Sequence, residues 1–232
     1  MISVGLAVAA PSVAEPLQFV RIDGLAEQAV GERLLKEVYK RAGMDITVTP
    51  MPGKRALAEA SSGKKHGETL RIYALGENVP SLIRVPTPLS SLRTAAFGKS
   101  GSSVALASAE DLAGFQSVIV AGVLHTEAIT DGLPNVTTVR SSDLMFEMVQ
   151  KERADLALTA LLDGQANLKR SGIADVVHVE PVLKTLDLYH YVHESKRDLV
   201  PVIDAIISEM TASGELASLR AQFEAEYLAS QG

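Results

Sequence analysis

LQFVRIDGLAEQAVGERLLKEVYKRAGMDITVTPM, residues 17–51, reads as a strand, a helix and a second strand in succession. LQFVRI at 17–22 is apolar and β-prone and is ended by the turn pair Asp23-Gly24. Within residues 31–42, Leu34, Leu35, Val38 and Ala42 recur at helical spacing, and Gly43 supplies the stop. DITVTPM, residues 45–51, has the composition of a second strand. A strand and its successor joined through a helix pair parallel, so this unit predicts an α/β fold with a largely parallel sheet.

The alternation continues outward from that unit. Pro52-Gly53 turns the chain into a helix over KRALAEASSG that ends at Gly63. TLRIYAL at 69–75 is a third strand, followed by a polar loop with Gly76, Asn78 and Pro80 and then by LIRVPTPL. GKSGSS near Lys99–Ser103 has the composition of a flexible link, after which a second lobe is expected to start. There SAEDLAGF carries a Ser108–Asp111 capping pattern, QSVIVAGV a buried strand, HTEAITDG a helix and NVTTVR a strand. SSDLMFEMVQKERA is expected as a helix with Leu144, Met145, Met148 and Val149 inward. LALTA, the helix LLDGQANLKRSG and the run VVHVEPVL follow, and LDLYHYVH at 186–193 reads as a strand returning to the first lobe. Two helices, DLVPVIDAIISEMTASG and ELASLRAQFEAEYL, close the chain, with Pro201 tolerated in the first turn of the former.

Composition narrows the function. A chain of 232 residues allows one large domain or two lobes with separate cores. With 47% apolar and 22% charged residues it folds rather than staying disordered. A net charge of -6 and 4% aromatic residues disfavour nucleic acid as a partner. The absence of cysteine removes thiol chemistry and disulfides. MISVGLAVAAPSVA, residues 1–14, is a short apolar run closing on small residues, read as a signal peptide remnant or, alternatively, a buried strand. The first reading predicts export to the periplasm, and no later stretch is apolar and long enough for a membrane helix.

Several segments together resemble bacterial solute-binding proteins of the amino-acid ABC importers, the type II class (family 3) with two lobes and a hinge. They are PGKRALAEASSG followed by GETLRI, then LIRVPTPL, VIVAGVLHTE and ERADLALTA, and finally YVHESKRDLVPVIDAIISEMTASGELASLRAQF, the most specific. The resemblance spans roughly residues 17–228. It implies a ligand cleft between two α/β lobes, with chain crossings near residues 97 and 187. Lobe one would be 15–97 plus 188–232 and lobe two 98–187. The partners implied are a small polar or anionic solute, favoured by helix N-termini, and a membrane permease or a sensor. A monomer without cofactor or metal is expected. The departures are equally informative. The arginine that grips an amino-acid carboxylate in such proteins is replaced by the run Gly76, Glu77, Asn78, Val79, and the aspartate that holds its ammonium is replaced by Ala160. A small residue of the second-lobe loop is replaced by His125.

The candidate ligand-binding residues are Asp23, Arg71, Gly122, His125, Thr126, Ser141 and Ser142. Arg71, in a β-run, either forks onto an anion or forms a salt bridge. Asp23 either meets ligand or shapes its turn. Gly122, His125 and Thr126 open a helix with backbone donors and a tunable imidazole. Ser141 and Ser142 begin the next helix and either meet ligand or, as such serines more often do, simply cap it. Asp155 is assigned to the fold. His178, His190 and His193 suggest a metal only at first sight, because positions 190 and 193 of a strand point to opposite faces. Without a GxSxG string, nucleophilic catalysis is disfavoured. Glu68 and Lys99 are the candidates for a dehydratase-like enzyme on the same fold, and a sensory module is the other alternative.

Overall fold

The structure, a computed structural model, describes residues 15–232, so the signal-peptide reading of residues 1–14 lies outside the described residues. The opening unit forms as β1 (Leu17–Ile22), α1 (Ala26–Arg41) and β2 (Ile46–Met51), with β1 and β2 parallel. There follow α2 (Gly53–Ser61), β3 (Gly67–Ile72), a single turn α3 (Leu75–Asn78), β4 (Leu82–Arg84) and the long β5 (Ser90–Lys99). The next stretch holds β6 (Ser117–Val120), α4 (Leu124–Thr130), β7 (Val136–Val139), α5 (Ser142–Gln150), β8 (Leu156–Ala160) and α6 (Leu161–Ser171). An 18-residue β9 (Val176–His193) leads back to α7 (Leu199–Ala212) and α8 (Glu215–Ala229).

The strands of the described residues join one sheet in the order β2-β1-β3-β9-β5-β8-β6-β7, with β4 added to β9. Its two halves are covered on both faces. In the first half, Phe19, Leu34, Leu70 and Ile207 pack under α1, α7 and α8, while Val20, Ala56, Leu82 and Tyr191 pack beneath α2. In the second half, Phe97, Val118, Phe146 and Leu168 fill one side, and Ala96, Ile119 and Leu158 the other. Each fully buried Leu or Phe contributes about 1.5–3 kcal/mol.

Several elements differ from the sequence-based expectation. SSLRTAAFGK was not expected as a strand, yet β5 lies at the sheet's centre, with Thr94 to Phe97 buried. A strand covered on both faces shows no alternation, so its period is invisible. VVHVEPVL and LDLYHYVH are one strand, β9, not two. The third strand covers 67–72 rather than 69–75, because Tyr191 Oη holds the carbonyls of Ile72 and Tyr73 at 3.0 and 2.7 Å and draws the chain into α3. Helix α5 stops at Gln150, before KERA, and Phe146 is buried where Leu144 and Met148 are only partly covered. Ser108 N–H does donate to Asp111, at 3.1 Å.

Helix α1 starts five residues earlier than its apolar spacing suggested. Its N-terminus carries no local cap. Instead Asp163 Oδ1, in the first turn of α6, accepts the Ala26 N–H at 2.8 Å from 137 residues away. Buried Glu27 lies beside Asp163 with its Oε2 unpartnered. Burial first, and then the neighbouring Asp163 charge, lift the Glu27 carboxyl well above its ordinary range, and burial raises Asp163 as well. Carboxyls raised in the folded state add stability at low pH that is lost as pH rises through the raised values. Asp163→Asn keeps the acceptor for Ala26 and removes one charge. It is therefore expected to equal or exceed the parent by about 1 kcal/mol at pH 8 and to have a flatter stability profile between pH 5 and 8. Urea unfolding at the two pH values checks this, and a parallel profile would refute it.

Candidate functional site

The register fixes where a site can form. Strands β1, β2 and β3 run one way; β9 is antiparallel to β3 and to β5, and β8 is antiparallel to β5. Because β6 and β7 run parallel to β8, the two sets of parallel strands run in opposite directions. The carboxyl end of β3, Ile72, pairs Leu188, which also pairs Ser90 of β5. The carboxyl end of β8, Ala160, pairs Thr94 of the same β5. The two carboxyl edges therefore face each other across the stretch Ser90 to Thr94, about 13 Å at roughly 3.3 Å per residue. Strands β5 and β9 form its floor and join both halves. Their pairing is interrupted there: Thr94 pairs Lys184 but Ala96 pairs Val179, so β9 bulges outward. Crevices outside strand carboxyl ends are where α/β sheets take ligands.

The expected site residues occupy both edges. Asp23 sits exposed in the turn after β1, where its Oδ1 accepts the Gly24 N–H at 2.9 Å and lies 3.7 Å from Arg21. Arg71, next to the end of β3, is already engaged: Nε and Nη2 donate to the carboxylate of Glu68 at 2.5 and 3.1 Å, and Nη2 to the Gly53 carbonyl at 3.3 Å. Glu68 is buried, which raises its carboxyl against the pull of Arg71. On the opposite edge, Gly122 takes a left-handed turn and gives its N–H to Glu127 at 2.7 Å. Thr126 is fully buried and its hydroxyl donates to the Val123 carbonyl at 2.9 Å, which leaves no free hydroxyl for a ligand. Ser141 caps α5, accepting from Leu144 N–H at 3.4 Å, and Ser142 is its first residue.

His125 holds the floor. Its Nδ1 lies 2.9 Å from Thr94 Oγ1, at the interruption in β5, and burial pushes the imidazole down to about 4. It is thus neutral at physiological pH.

Other groups separate on the structure. His190 is fully buried, whereas His193 is on the exposed side with Ser195, so the two point apart as their spacing predicted. Asp155 accepts the Gln116 N–H at 2.8 Å, a structural contact. Glu68 pairs Tyr191 and Lys99 pairs Val176. Fifteen residues of β9 separate those levels, tens of ångströms at roughly 3.3 Å per residue, so the pair offered for catalysis is not brought together.

Groups not singled out from the sequence also reach the facing edges. Leu25 follows the turn after β1, Ile72 ends β3 and Tyr73 comes directly after it, and Leu124 opens α4; they are 42, 48, 51 and 75% exposed. Lys54 and Arg55 stand exposed in the first turn of α2, and Arg140 stands exposed after β7. Arg84 stacks over Tyr73, 3.4 Å from its ring centroid, and lies 5.2 Å from Tyr189. Most of them lie within about four residues after a strand's carboxyl end.

No family model matches the chain, and no curated protein matches it. Solved structures do. An ancestral cationic amino acid solute binding protein superposes with a TM-score of 0.70 at 15% identity, over 90% of this chain and 95% of that one. A substrate-binding protein of an amino acid ABC transporter from Streptococcus pneumoniae, bound to L-arginine, gives 0.63 at 14% identity over 92% and 96%. A histidine kinase sensor domain similar to periplasmic binding proteins gives 0.66 at 13% identity over 90% and 96%. With opposed strand sets, facing carboxyl edges and two crossing strands, the chain has the two-lobed α/β fold of the type II periplasmic binding proteins.

Proposed function

We propose that the protein is an extracytoplasmic solute-binding protein, which takes a small solute between its lobes and delivers it unchanged to the permease of an ABC importer. The observation that carries this reading is the pair of opposed carboxyl edges bridged by the crossing strands β5 and β9, a geometry suited to hinge closure. The lobes would comprise residues 15–97 with 188–232, and 98–187. Leu162 and Asp163 of α6 belong to the second by sequence, yet pack into the first core and cap α1. They would lie close to the hinge.

The grip differs from that of an amino-acid binder of this fold. Arg71 is occupied by Glu68, and Ala160 offers no carboxylate to an ammonium. Ligand contacts are assigned instead to Asp23, the Gly122–Thr126 turn through its backbone and His125, and the Ser141–Ser142 cap. Periplasmic location and a monomeric state follow from the reading, and cell fractionation and light scattering check them.

In a thermal-shift screen of polar and anionic solutes, one class at 100 times its Kd is expected to raise Tm by about 5–10 °C, since such occupancy adds about 2.7 kcal/mol. A broad panel with no shift and no copurified molecule would remove the binding function altogether.

The similarity to a kinase sensor domain supports a second reading, in which occupancy is signalled to a membrane partner. Uptake of labelled solute lost on deletion of the gene supports import. Unchanged uptake with a lost transcriptional response supports sensing.

A further inference from the structure

Helices α1 and α6 belong to opposite halves of the sheet, and their first turns meet. Asp163 of α6 accepts the Ala26 N–H at 2.8 Å and so caps α1. Glu27, the next residue of α1, is 5% exposed, and its carboxyl is within hydrogen-bonding reach of Asp163. Two acceptors therefore face each other, and Glu27 Oε2 has no donor. A buried oxygen without a partner is costly, and two ionised carboxyls side by side are more so. A proton on Glu27 removes both costs, because a carboxylic acid donates where a carboxylate only accepts. Asp163 then takes one hydrogen bond from Glu27 and keeps the one from Ala26.

The surrounding groups leave that proton in place. Arg220 of α8 faces Glu27 but is engaged by Glu224 at 2.7 Å and by the Ser91 hydroxyl and carbonyl at 2.6 and 2.8 Å. Glu224 is also paired with Arg93 of β5, at 2.6 Å. Arg170, in the last turn of α6, attracts Asp163 from an exposed position. Tyr227 of α8 faces both carboxyls; burial first, and then the charge of Asp163, raise its hydroxyl, so it stays neutral. Arg21 of β1, also near Tyr227, is paired with Glu32 at 2.8 Å. Lys169 donates to the Leu228 carbonyl at 2.7 Å, so α6 is held to α8 near its last turn and to α1 at its first.

We infer that Glu27 and Asp163 form a proton-held latch between the lobes. With one shared proton the first turn of α6 is tied to that of α1; when the proton leaves to solvent, the two like charges part these turns and let the lobes rotate about β5 and β9. This rests on the two-lobed solute-binding reading above and adds a control of lobe movement by pH. Since a solute binds only as well as the population of the competent arrangement allows, its affinity becomes linked to pH.

The chain has no cysteine, so Lys54→Cys and Arg140→Cys place one spin label on each lobe. Dipolar distances in the full labelled chain, without added solute, are compared at about pH 5 and about pH 8. One distance is expected at the lower pH. At the higher, a second population shifted by more than about 2 Å is expected, the ratio of the two changing at least about tenfold. Glu27→Gln, whose amide donates to Asp163 at either pH, is expected to keep the single distance throughout. Asp163→Ala, with no acceptor, is expected to show the second distance at both.

A pH response that persists in Glu27→Gln belongs to another group and overturns the latch. No response in the parent, with movement in Asp163→Ala, overturns the role of the proton and leaves the hinge standing. One fixed distance in the parent and in both variants overturns the latch and hinge closure together, whereas solute binding itself is read separately by the thermal-shift panel.

Discussion

Replacing Gly67 with alanine is expected to lower the free energy of unfolding by about 3–5 kcal/mol, out of about 5–15 kcal/mol for a protein of this kind. Two effects add. The backbone at Gly67 has φ +152°, a region essentially closed to residues with a side chain, which costs about 1–3 kcal/mol. A Cβ there would also stand 2.0 Å from the Tyr191 carbonyl oxygen and 2.9 Å from Val192 Cα. These are backbone atoms of two fully buried residues, so no rotamer change relieves the overlap. Relief requires β3 and β9 to separate at the point where Gly67 pairs Val192, weakening the attachment of the first lobe's parallel strands to the crossing strand. Gly24→Ala is the control: its φ is +77° but nothing lies within 4 Å, so a loss of about 1–2 kcal/mol is expected. Urea midpoints of the two variants and the parent decide the matter. A Gly67→Ala loss no larger than that of Gly24→Ala would show that the strands yield easily.

That glycine illustrates how the sequence divides between legible and illegible features. β1, β2, β6, β7 and β8 were visible because short apolar runs end in turn residues. The opening of β3 was not: Gly67 and Glu68 are atypical of strand composition, and only the approach of β9, 122 residues on from Glu68, demands them. The same holds for α1, whose first turn depends on Asp163 rather than on a local cap. Long-range contacts leave no periodic trace, and β5 leaves none because both its faces are covered.

The positions proposed for ligand contact were legible as strand ends. Position past a strand end marked Asp23, Gly122, His125 and Ser141, and all stand at the facing edges. What could not be read was which groups remain free. Arg71 and Thr126 look available in the sequence, but a buried carboxylate three residues before the one and a carbonyl three residues before the other occupy them. The exposed Tyr73 was hidden inside a strand drawn three residues too long.

Acidification is expected to destabilise the fold through His190, by up to about 3 kcal/mol. The imidazole is completely buried, and burial pushes it down to about 4. Nδ1 lies 2.8 Å from the Glu68 carbonyl, which can only accept, so Nδ1 carries the proton; Nε2 then accepts from the Tyr39 hydroxyl at 3.0 Å. A second proton on Nε2 would oppose that hydroxyl hydrogen and place a charge in a fully buried position. The unfolded chain takes up this proton near pH 6.5 and the folded chain only near 4, so stability is unaffected above pH 6.5, falls between 6.5 and 4, and levels off below. His125, also lowered, acts in the same direction, whereas Glu27, Asp163 and Glu68, all raised, act in the opposite one. The whole-protein profile therefore mixes both signs, and the test must be a difference. His190→Gln removes the titrating group. It is expected to be less stable than the parent at pH 7, with the gap narrowing by about 3 kcal/mol on going to pH 4. Urea unfolding of both proteins across this range reads the gap directly. A gap that stays constant would mean that His190 is protonated in the folded state as readily as in the unfolded chain, and that the Tyr39 hydroxyl reorients to accept.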